Sequence, residues 1–193
     1  MLFRSQIYSA LAQYVAEMNR SIVTVTGVSS GVDWFNNVNE SKNQSSGVII
    51  AQNGKQLLIL TDYSPVKQAD DIIVTFNKGI QAHASLKEKD ETTGLAVIAV
   101  ELDVLNEDFL KNDITIATLG SSNIRDIAGL PVVALGRPMG INGSLGYGII
   151  TSSASESAAS DTTYRILQTN IVGSQNAGCF RRIYPPSNCA AQI

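Results

Sequence analysis

The stretch SGVIIAQNGKQLLILTDYSPV, residues Ser46–Val66, contains the clearest strand and turn signals of the chain. Two apolar runs, Val48–Ala51 and Leu57–Thr61, flank the polar sequence Gln52-Asn53-Gly54-Lys55. Asn-Gly accepts the positive φ values of a tight hairpin turn, and Val, Ile and Leu are typical of buried strands. Because Pro65 has no N–H for a neighbouring strand, the second run is predicted to end before it. We therefore predict a β-hairpin here.

Composition favours a β-rich globular protein. Of 193 residues, 44% are apolar and 16% are charged, and the 15 glycines against 5 prolines indicate many turns. The net charge of −3 gives no basic surplus and argues against a nucleic-acid partner. The apolar runs are shorter than the ~20 residues of a membrane helix, and Met1–Arg20 lacks the pattern of a signal peptide. No membrane contact is expected from this segment itself.

Periodicity along the rest of the chain predicts one helix and then a series of strands. Apolar residues recur at three- and four-residue spacing from Ser5 to about Arg20, as in an amphipathic helix. The polar segments Val28–Ser45 and Ser153–Asp161 are predicted to be loops, and one helical turn is predicted in the linker Val104–Asp113. Further strands are predicted at Ser21–Gly27, Asp71–Phe76, Ile80–Leu86, Leu95–Val100, Tyr147–Ser152 and Tyr164–Thr169.

Three phrases, in this order, resemble chymotrypsin-like proteases of the HtrA (DegP) type. Ser46–Tyr63 resembles a family strand Gly-Val-Ile-Ile, a turn, and a strand that ends Leu-Thr-Asn-x-His-Val. Val132–Gly140 (VVALGRPMG) resembles the phrase Val-Val-Ala-x-Gly-x-Pro-x-Gly, and Gln168–Cys179 resembles Gln-Thr-Asp followed by Gly-Asn-Ser-Gly-Gly. The resemblance implies an all-β fold, a chymotrypsin-like pair of antiparallel β-barrels with a cleft between them, preceded here by the N-terminal helix.

The resemblance also implies a domain organisation. It places a helix or linker at residues 1–20, the first barrel at 21–105, a linker at 106–113, a partial second barrel at 114–179 and an irregular tail at 180–193. The pair Pro185-Pro186 forbids a central strand, so we expect the second barrel to be incomplete at its C-terminal end.

All three catalytic triad positions of the family carry other residues in this chain. Ser64 stands at the position of the His and Gly94 at that of the Asp. The nucleophile position falls on Gly178 without a gap, or on Ala177 with a one-residue deletion. A triad needs a base hydrogen-bonded to the nucleophile and a carboxylate that orients the base. We therefore predict a pseudoprotease that binds a peptide or protein partner, by strand addition in the cleft near Ser152–Tyr164.

Two alternatives stay open. An active serine-type endopeptidase with a non-standard site would have to use His83 with Cys179 or Ser174, although the position of His83 between Ala82 and Ala84 favours an ordinary histidine. A structural extracytoplasmic module is the other alternative, since many HtrA-like proteins carry an N-terminal membrane anchor. That resemblance implies an extracytoplasmic location and an upstream anchor.

No cofactor or metal is expected. Cys179, Cys189 and His83 are not spaced like zinc ligands. A local disulfide between Cys179 and Cys189 and two free thiols both fit the sequence.

Overall fold

The computed structural model describes residues 12–32, 38–120, 127–136, 144–159, 162–171 and 191–192. Helix α1 covers residues 12–18 of the described chain, and helix α2 spans Glu107–Asp113. The strands are β1 (Ile22–Val32), β2 (Val38–Asn53), β3 (Gln56–Asp62), β4 (Asp71–Thr75), β5 (Gln81–Asp90), β6 (Leu95–Glu101), β7 (Pro131–Gly136), β8 (Ser144–Ala159), β9 (Thr162–Thr169) and β10 (Ala191–Gln192).

The first six strands close into an antiparallel barrel in the order β1-β2-β3-β6-β5-β4. Alternate residues of each strand point inward, and Val25, Ile59 and Ile98 are completely buried in the barrel core. Helix α2 adds Phe109, whose ring meets Phe76 edge to face with 5.8 Å between ring centroids. The side-chain amide oxygen of Asn106 accepts from the N–H of Asp108 and caps this helix.

The predicted hairpin is confirmed. Asn53 pairs with Gln56, so the connection consists of Gly54 and Lys55. Gly54 has φ of +58°, a left-handed conformation that glycine adopts without a steric penalty. The second strand of the hairpin ends at Asp62, before Pro65, as expected.

The rest of the chain forms a second sheet in the order β10-β7-β8-β9. One face of this sheet carries Val132 and Ile150, which are buried together with Ile127. The opposite face carries Leu135, which is fully buried against Ile22 and Val48 of the first barrel. Two of the barrel's outward-facing side chains are therefore the surface on which the second sheet packs.

The expected fold class is confirmed: the chain is all-β, with a short N-terminal helix, a closed six-stranded barrel and a second sheet. Residues 172–190, which bear on the completeness of the second barrel, lie outside the described residues. Ala191–Gln192, inside the tail predicted to be irregular, form a short strand opposite Ala134 and Val133.

Both loop predictions were wrong. Within Val28–Ser45, β1 continues to Val32 and β2 begins at Val38, with Val28 opposite Lys42. Within Ser153–Asp161, β8 continues to Ala159 and pairs with β9 from Thr162 onward. The extended part of the β1–β2 pair is exposed, so its side chains are polar and show no apolar alternation. Trp34 and Phe35 lie outside the described residues.

Candidate functional site

Ser64 and Gly94, assigned to the triad's His and Asp positions, lie close together at one end of the first barrel. Strand β3 ends at Asp62, which is opposite Leu95, the first residue of β6. Just beyond this pair, the N–H of Tyr63 donates to the carbonyl oxygen of Gly94 at 2.8 Å. The fold therefore brings two of the three sequence-predicted positions together. Ala177 and Gly178, the candidates for the third, lie outside the described residues.

Neither of the two residues supplies acid–base chemistry. Ser64 is exposed, and its backbone N–H donates to Oδ1 of Asp62 at 3.0 Å, which fixes the start of the loop. Gly94 has φ of +75° and no side chain to orient a base. A neutral hydroxyl does not take a proton at neutral pH, so this pair cannot act as a base with its orienting carboxylate.

The Asp90 carboxylate holds the turn that leads to Gly94. Asp90 accepts from the hydroxyl of Thr93 at 2.7 Å and from the N–H of Thr92 at 2.9 Å. The hydrogen bond from the Thr93 hydroxyl, followed by that from Thr92, lowers the pKa of the Asp90 carboxyl. The carbonyl oxygen of Asp90 also accepts from the N–H of Gly94 at 2.9 Å. Asp90 thus positions Gly94.

A cluster of charged side chains surrounds Tyr63, the residue before Ser64. The Tyr63 ring is buried, and the ammonium groups of Lys67 and Lys89 lie 5.9 Å and 5.2 Å from its centroid. Lys89 Nζ donates to the Tyr63 hydroxyl at 3.1 Å and to Glu91 at 2.6 Å. The hydrogen bond to Glu91 is the largest cause of the raised pKa of Lys89, and the same bond lowers the pKa of Glu91.

Sequence reasoning did not find this cluster, because Lys67 and Lys89 are 22 positions apart and carry no motif. Their roles follow from geometry alone. They hold the aromatic ring that anchors the loop at Ser64.

The loop that begins at Ser64 is fastened to β1. The carbonyl of Pro65 occupies the space that a Cβ atom on Gly27 would need. Farther along, the N–H of Asp70 donates to the carbonyl of Val28 at 2.8 Å, and Oδ2 of Asp70 accepts from the N–H of Ser30 at 2.7 Å. The position of Ser64 therefore depends on β1 as well as on β3.

His83, the alternative base, lies elsewhere. It is on β5, its side chain is 78% exposed, and its Nδ1 lies 2.9 Å from Oδ1 of Asp71 on β4. In a triad, the base is a histidine that a carboxylate orients toward the nucleophile. The pair is on the outer face of the barrel, whereas Ser64 follows the end of β3. Ser174 and Cys179, its suggested partners, lie outside the described residues.

No helix in the part of the chain that the structure describes has the length and hydropathy needed to cross a bilayer. Within the same residues, no three His, Cys, Asp or Glu side chains are grouped closely enough to hold a metal ion together.

Similarity to known proteins identifies the protein family to which the chain belongs. The model of the trypsin-like peptidase domain matches residues 45–181, and the chain belongs to this family. Relatives similar to the chain include proteases of the HtrA/DegP type. A DegP-like periplasmic serine endoprotease of Halomonas elongata is 31% identical over 132 residues, which are 68% of this chain and 25% of that protein. The serine endoprotease DegS of Haemophilus influenzae is 32% identical over 124 residues, 64% of this chain and 32% of that protein.

A solved structure agrees in fold. The HtrA-type protease AlgW with a decapeptide superposes with a TM-score of 0.65 at 21% sequence identity, covering 93% of this chain and 54% of that one. The chain thus spans about a quarter to a third of the length of the curated relatives it matches.

Proposed function

We propose that this domain is a non-catalytic HtrA-like member of the trypsin-like peptidase family that binds a peptide or protein partner. The supporting observation is the pair Ser64 and Gly94, held together by the Tyr63 N–H to Gly94 carbonyl bond at the place where a base and its carboxylate would meet. In this proposal the scaffold of the site is kept, while Ser64 and Gly94 replace the groups that would move a proton.

The proposed inactivity does not depend on the identity of the nucleophile. Loss of the base from a Ser-His-Asp triad removes about six orders of magnitude in kcat in the best-measured case. The carboxylates near Ser64 have structural roles, since Asp62 accepts from the Ser64 amide and Asp90 accepts from the Thr93 hydroxyl in its own turn.

The proposed mode of binding is strand addition at β9. In the described sheet, β9 is the last strand after β8, so one of its edges is unpaired among the residues that the structure describes. Such an edge offers N–H and C=O groups to an extended peptide. The AlgW structure was solved with a decapeptide, and we extend peptide recognition from that relative to this chain as part of the proposal.

Hydrolysis of an unfolded protein substrate, together with labelling by a fluorophosphonate probe, tests the catalytic half. We expect neither turnover nor label. Turnover that survives in the Ser64→Ala variant and disappears in His83→Ala would overturn the proposal. It would instead support the alternative of a non-standard endopeptidase, which is favoured by the Asp71–His83 pair at 2.9 Å.

Proline substitutions in β9 test the binding half. N–H groups of successive strand residues point to opposite edges, so of Thr163 and Tyr164 one N–H faces β8 and the other faces the open edge. In a fluorescence-polarisation screen of extended decapeptides, one of Thr163→Pro and Tyr164→Pro should abolish binding while the folded circular dichroism spectrum is kept. Unchanged affinity in both variants would contradict strand addition at β9.

We also propose an extracytoplasmic location, supported by relatives that are named periplasmic. Fractionation of cells that express the intact gene tests this, with the domain expected outside the cytoplasm. In that location a purely structural module is the remaining alternative, and specific peptide binding would exclude it.

A further inference from the structure

We propose that the free edge of β2 pairs with the same edge of a second copy of this chain, giving a dimer with twofold symmetry. We call the segment Glu40–Gln44 the ribbon edge. This inference concerns self-association and is independent of the proposed function.

The ribbon edge belongs to a two-stranded ribbon that extends beyond the barrel. Strand β1 pairs with β4 only over Thr24–Val28, and β2 pairs with β3 only over Gly47–Asn53. The pairing between β1 and β2, in contrast, continues to Val32 opposite Val38. Within the described chain, the part of β2 before Ser45 therefore has β1 on one side and no strand on the other.

The hydrogen bonds between Asp70 and β1 show which backbone groups of the ribbon edge point away from β1. The carbonyl of Val28 and the N–H of Ser30 both bond to Asp70, so these residues direct their backbone groups away from β2. In an antiparallel pair, the residues opposite them must also point away from the partner strand. Lys42 is opposite Val28 and Glu40 is opposite Ser30. Their N–H and C=O groups therefore point off the open edge.

The same alternation in the direction of the backbone groups holds at the point where the open edge begins. The carbonyl of Ser46 accepts from the Thr61 hydroxyl at 3.0 Å, on the β3 side of the strand. Glu40, Lys42 and Gln44 thus present a regular row of backbone groups, and all three side chains are exposed.

The charges of Glu40 and Lys42 indicate that the strand pairing with this edge is the same segment of a second copy. Glu40 and Lys42 lie on one face of the strand, with 3.6 Å between Glu40 Oε2 and Lys42 Nζ. In a twofold antiparallel pair centred on Ser41, each Glu40 is opposite the other copy's Lys42, and both residues form the hydrogen-bonded type of pair. Four charges then alternate in sign, and opposite charges directly across two strands are stabilising.

A charged edge also deters unspecific pairing, and a solvated, unpaired edge is the competing interpretation. The two interpretations differ in one respect. Protection of the edge against unspecific pairing requires only charged side chains of either sign. Glu40 and Lys42 instead have opposite signs two residues apart, so that one register of self-pairing places opposite charges across from each other.

Disulfide trapping tests the register directly. In a Cys179→Ser, Cys189→Ser background, Ser41→Cys places two thiols across the symmetry axis, where Cα atoms of a non-hydrogen-bonded pair are about 4.5 Å apart. The matched control Asn43→Cys places them about 14 Å apart, four residues along the strand. Mild oxidation should crosslink the first variant and not the second. Equal crosslinking of both, or of neither, would overturn the proposal.

Sedimentation velocity over a concentration series provides the second test. Lys42→Glu should weaken the dimer roughly tenfold by placing like charges opposite each other, and adding Glu40→Lys should restore it. Lys42→Pro removes an N–H that the β1–β2 pair does not use, so it should abolish the dimer in a folded protein. A monomer at every concentration, or a dimer indifferent to Lys42→Pro, would contradict the inference; so would an exogenous peptide, rather than a second copy, taking the edge.

Discussion

At the scale of single residues, Ser64 and Gly94, which the sequence analysis assigns to the triad's His and Asp positions, matter because the backbone holds them close together. Gly94 has the left-handed conformation that Asp tolerates better than most residues, and it accepts a hydrogen bond from the residue before Ser64. We therefore expect the barrel to hold a base and a carboxylate close together if both are introduced at these positions.

This leads to a prediction for Ser64→His combined with Gly94→Asp. The carboxylate should stabilise the charged imidazole and raise its pKa by about one unit relative to Ser64→His alone. The pair would then stabilise the fold below the ordinary histidine pKa, and this contribution would disappear as the pH rises through the raised value. An NMR titration of the imidazole measures both. Identical pKa values in the two variants would show that the positions are not adjacent in solution.

A second residue-scale prediction concerns Asp90. Its pKa is lowered by the hydrogen bond from the Thr93 hydroxyl, so the carboxylate stabilises the turn above the ordinary pKa and loses this effect as the pH falls through the lowered value. Below the reference value of 3.8, amide protection of Thr92 and Thr93 should decline. Asp90→Ala should lower that protection severalfold already at neutral pH, as measured by hydrogen exchange.

The exposed Asp103 offers a matched control for this measurement. Asp103→Ala should leave the protection of Thr92 and Thr93 unchanged at every pH. An equal loss of protection in both variants would mean that net charge, rather than the turn hydrogen bonds of Asp90, is responsible.

At the scale of elements, the loop that carries Ser64 depends on a glycine of β1. A methyl group on Gly27 would overlap the backbone carbonyl of Pro65, which has no rotatable end that could move aside. Gly27→Ala should therefore lower the free energy of unfolding by about 1–3 kcal/mol, measured by urea denaturation. Gly120→Ala is the control, since a Cβ atom there meets none of the described residues within 4 Å. A loss of stability of similar size in both variants would contradict the packing argument.

The secondary-structure elements also show which parts of the fold could be predicted from the sequence. The hairpin around Gly54 could be predicted because its signals are local: two apolar runs and an Asn-Gly turn. The outer β1–β2 ribbon was missed, because a strand with water on both faces has the composition of a loop. The pairing of β1 with β2 decides its conformation, and this pairing leaves no apolar alternation in the sequence.

The candidate site likewise has a part that could be predicted from the sequence and a part that could not. The neighbourhood of Ser64 and Gly94 could be inferred only from resemblance to a family, since the two residues are 30 positions apart and have no chemistry of their own. The contacts of Tyr63 with Lys67 and Lys89 had no sequence signal, because they depend on the packing of the loop against the end of β5.

At the scale of the whole molecule, the described residues of the first barrel and of the second sheet meet in an apolar contact. Leu135 of β7 is fully buried against Ile22 and Val48, and the chain between the two halves is fixed by the N–H of Ala117, which donates to the carbonyl of Ile49 at 2.8 Å. Among the described residues of this contact, Leu135 is the fully buried side chain that the second sheet contributes, so we expect it to have a large share in keeping the two halves together.

We therefore expect Leu135→Ala to destabilise the second sheet selectively. Removing the buried side chain should lower the free energy of unfolding by about 2–5 kcal/mol and separate a single thermal transition into two, because the barrel keeps its own core around Ile59. Calorimetry measures both effects. Leu145, directly opposite Leu135 but 50% exposed, provides the control, and Leu145→Ala should change stability by less than about 0.5 kcal/mol. A single transition in Leu135→Ala, lowered no more than in Leu145→Ala, would mean that the two halves are held together by contacts other than this one.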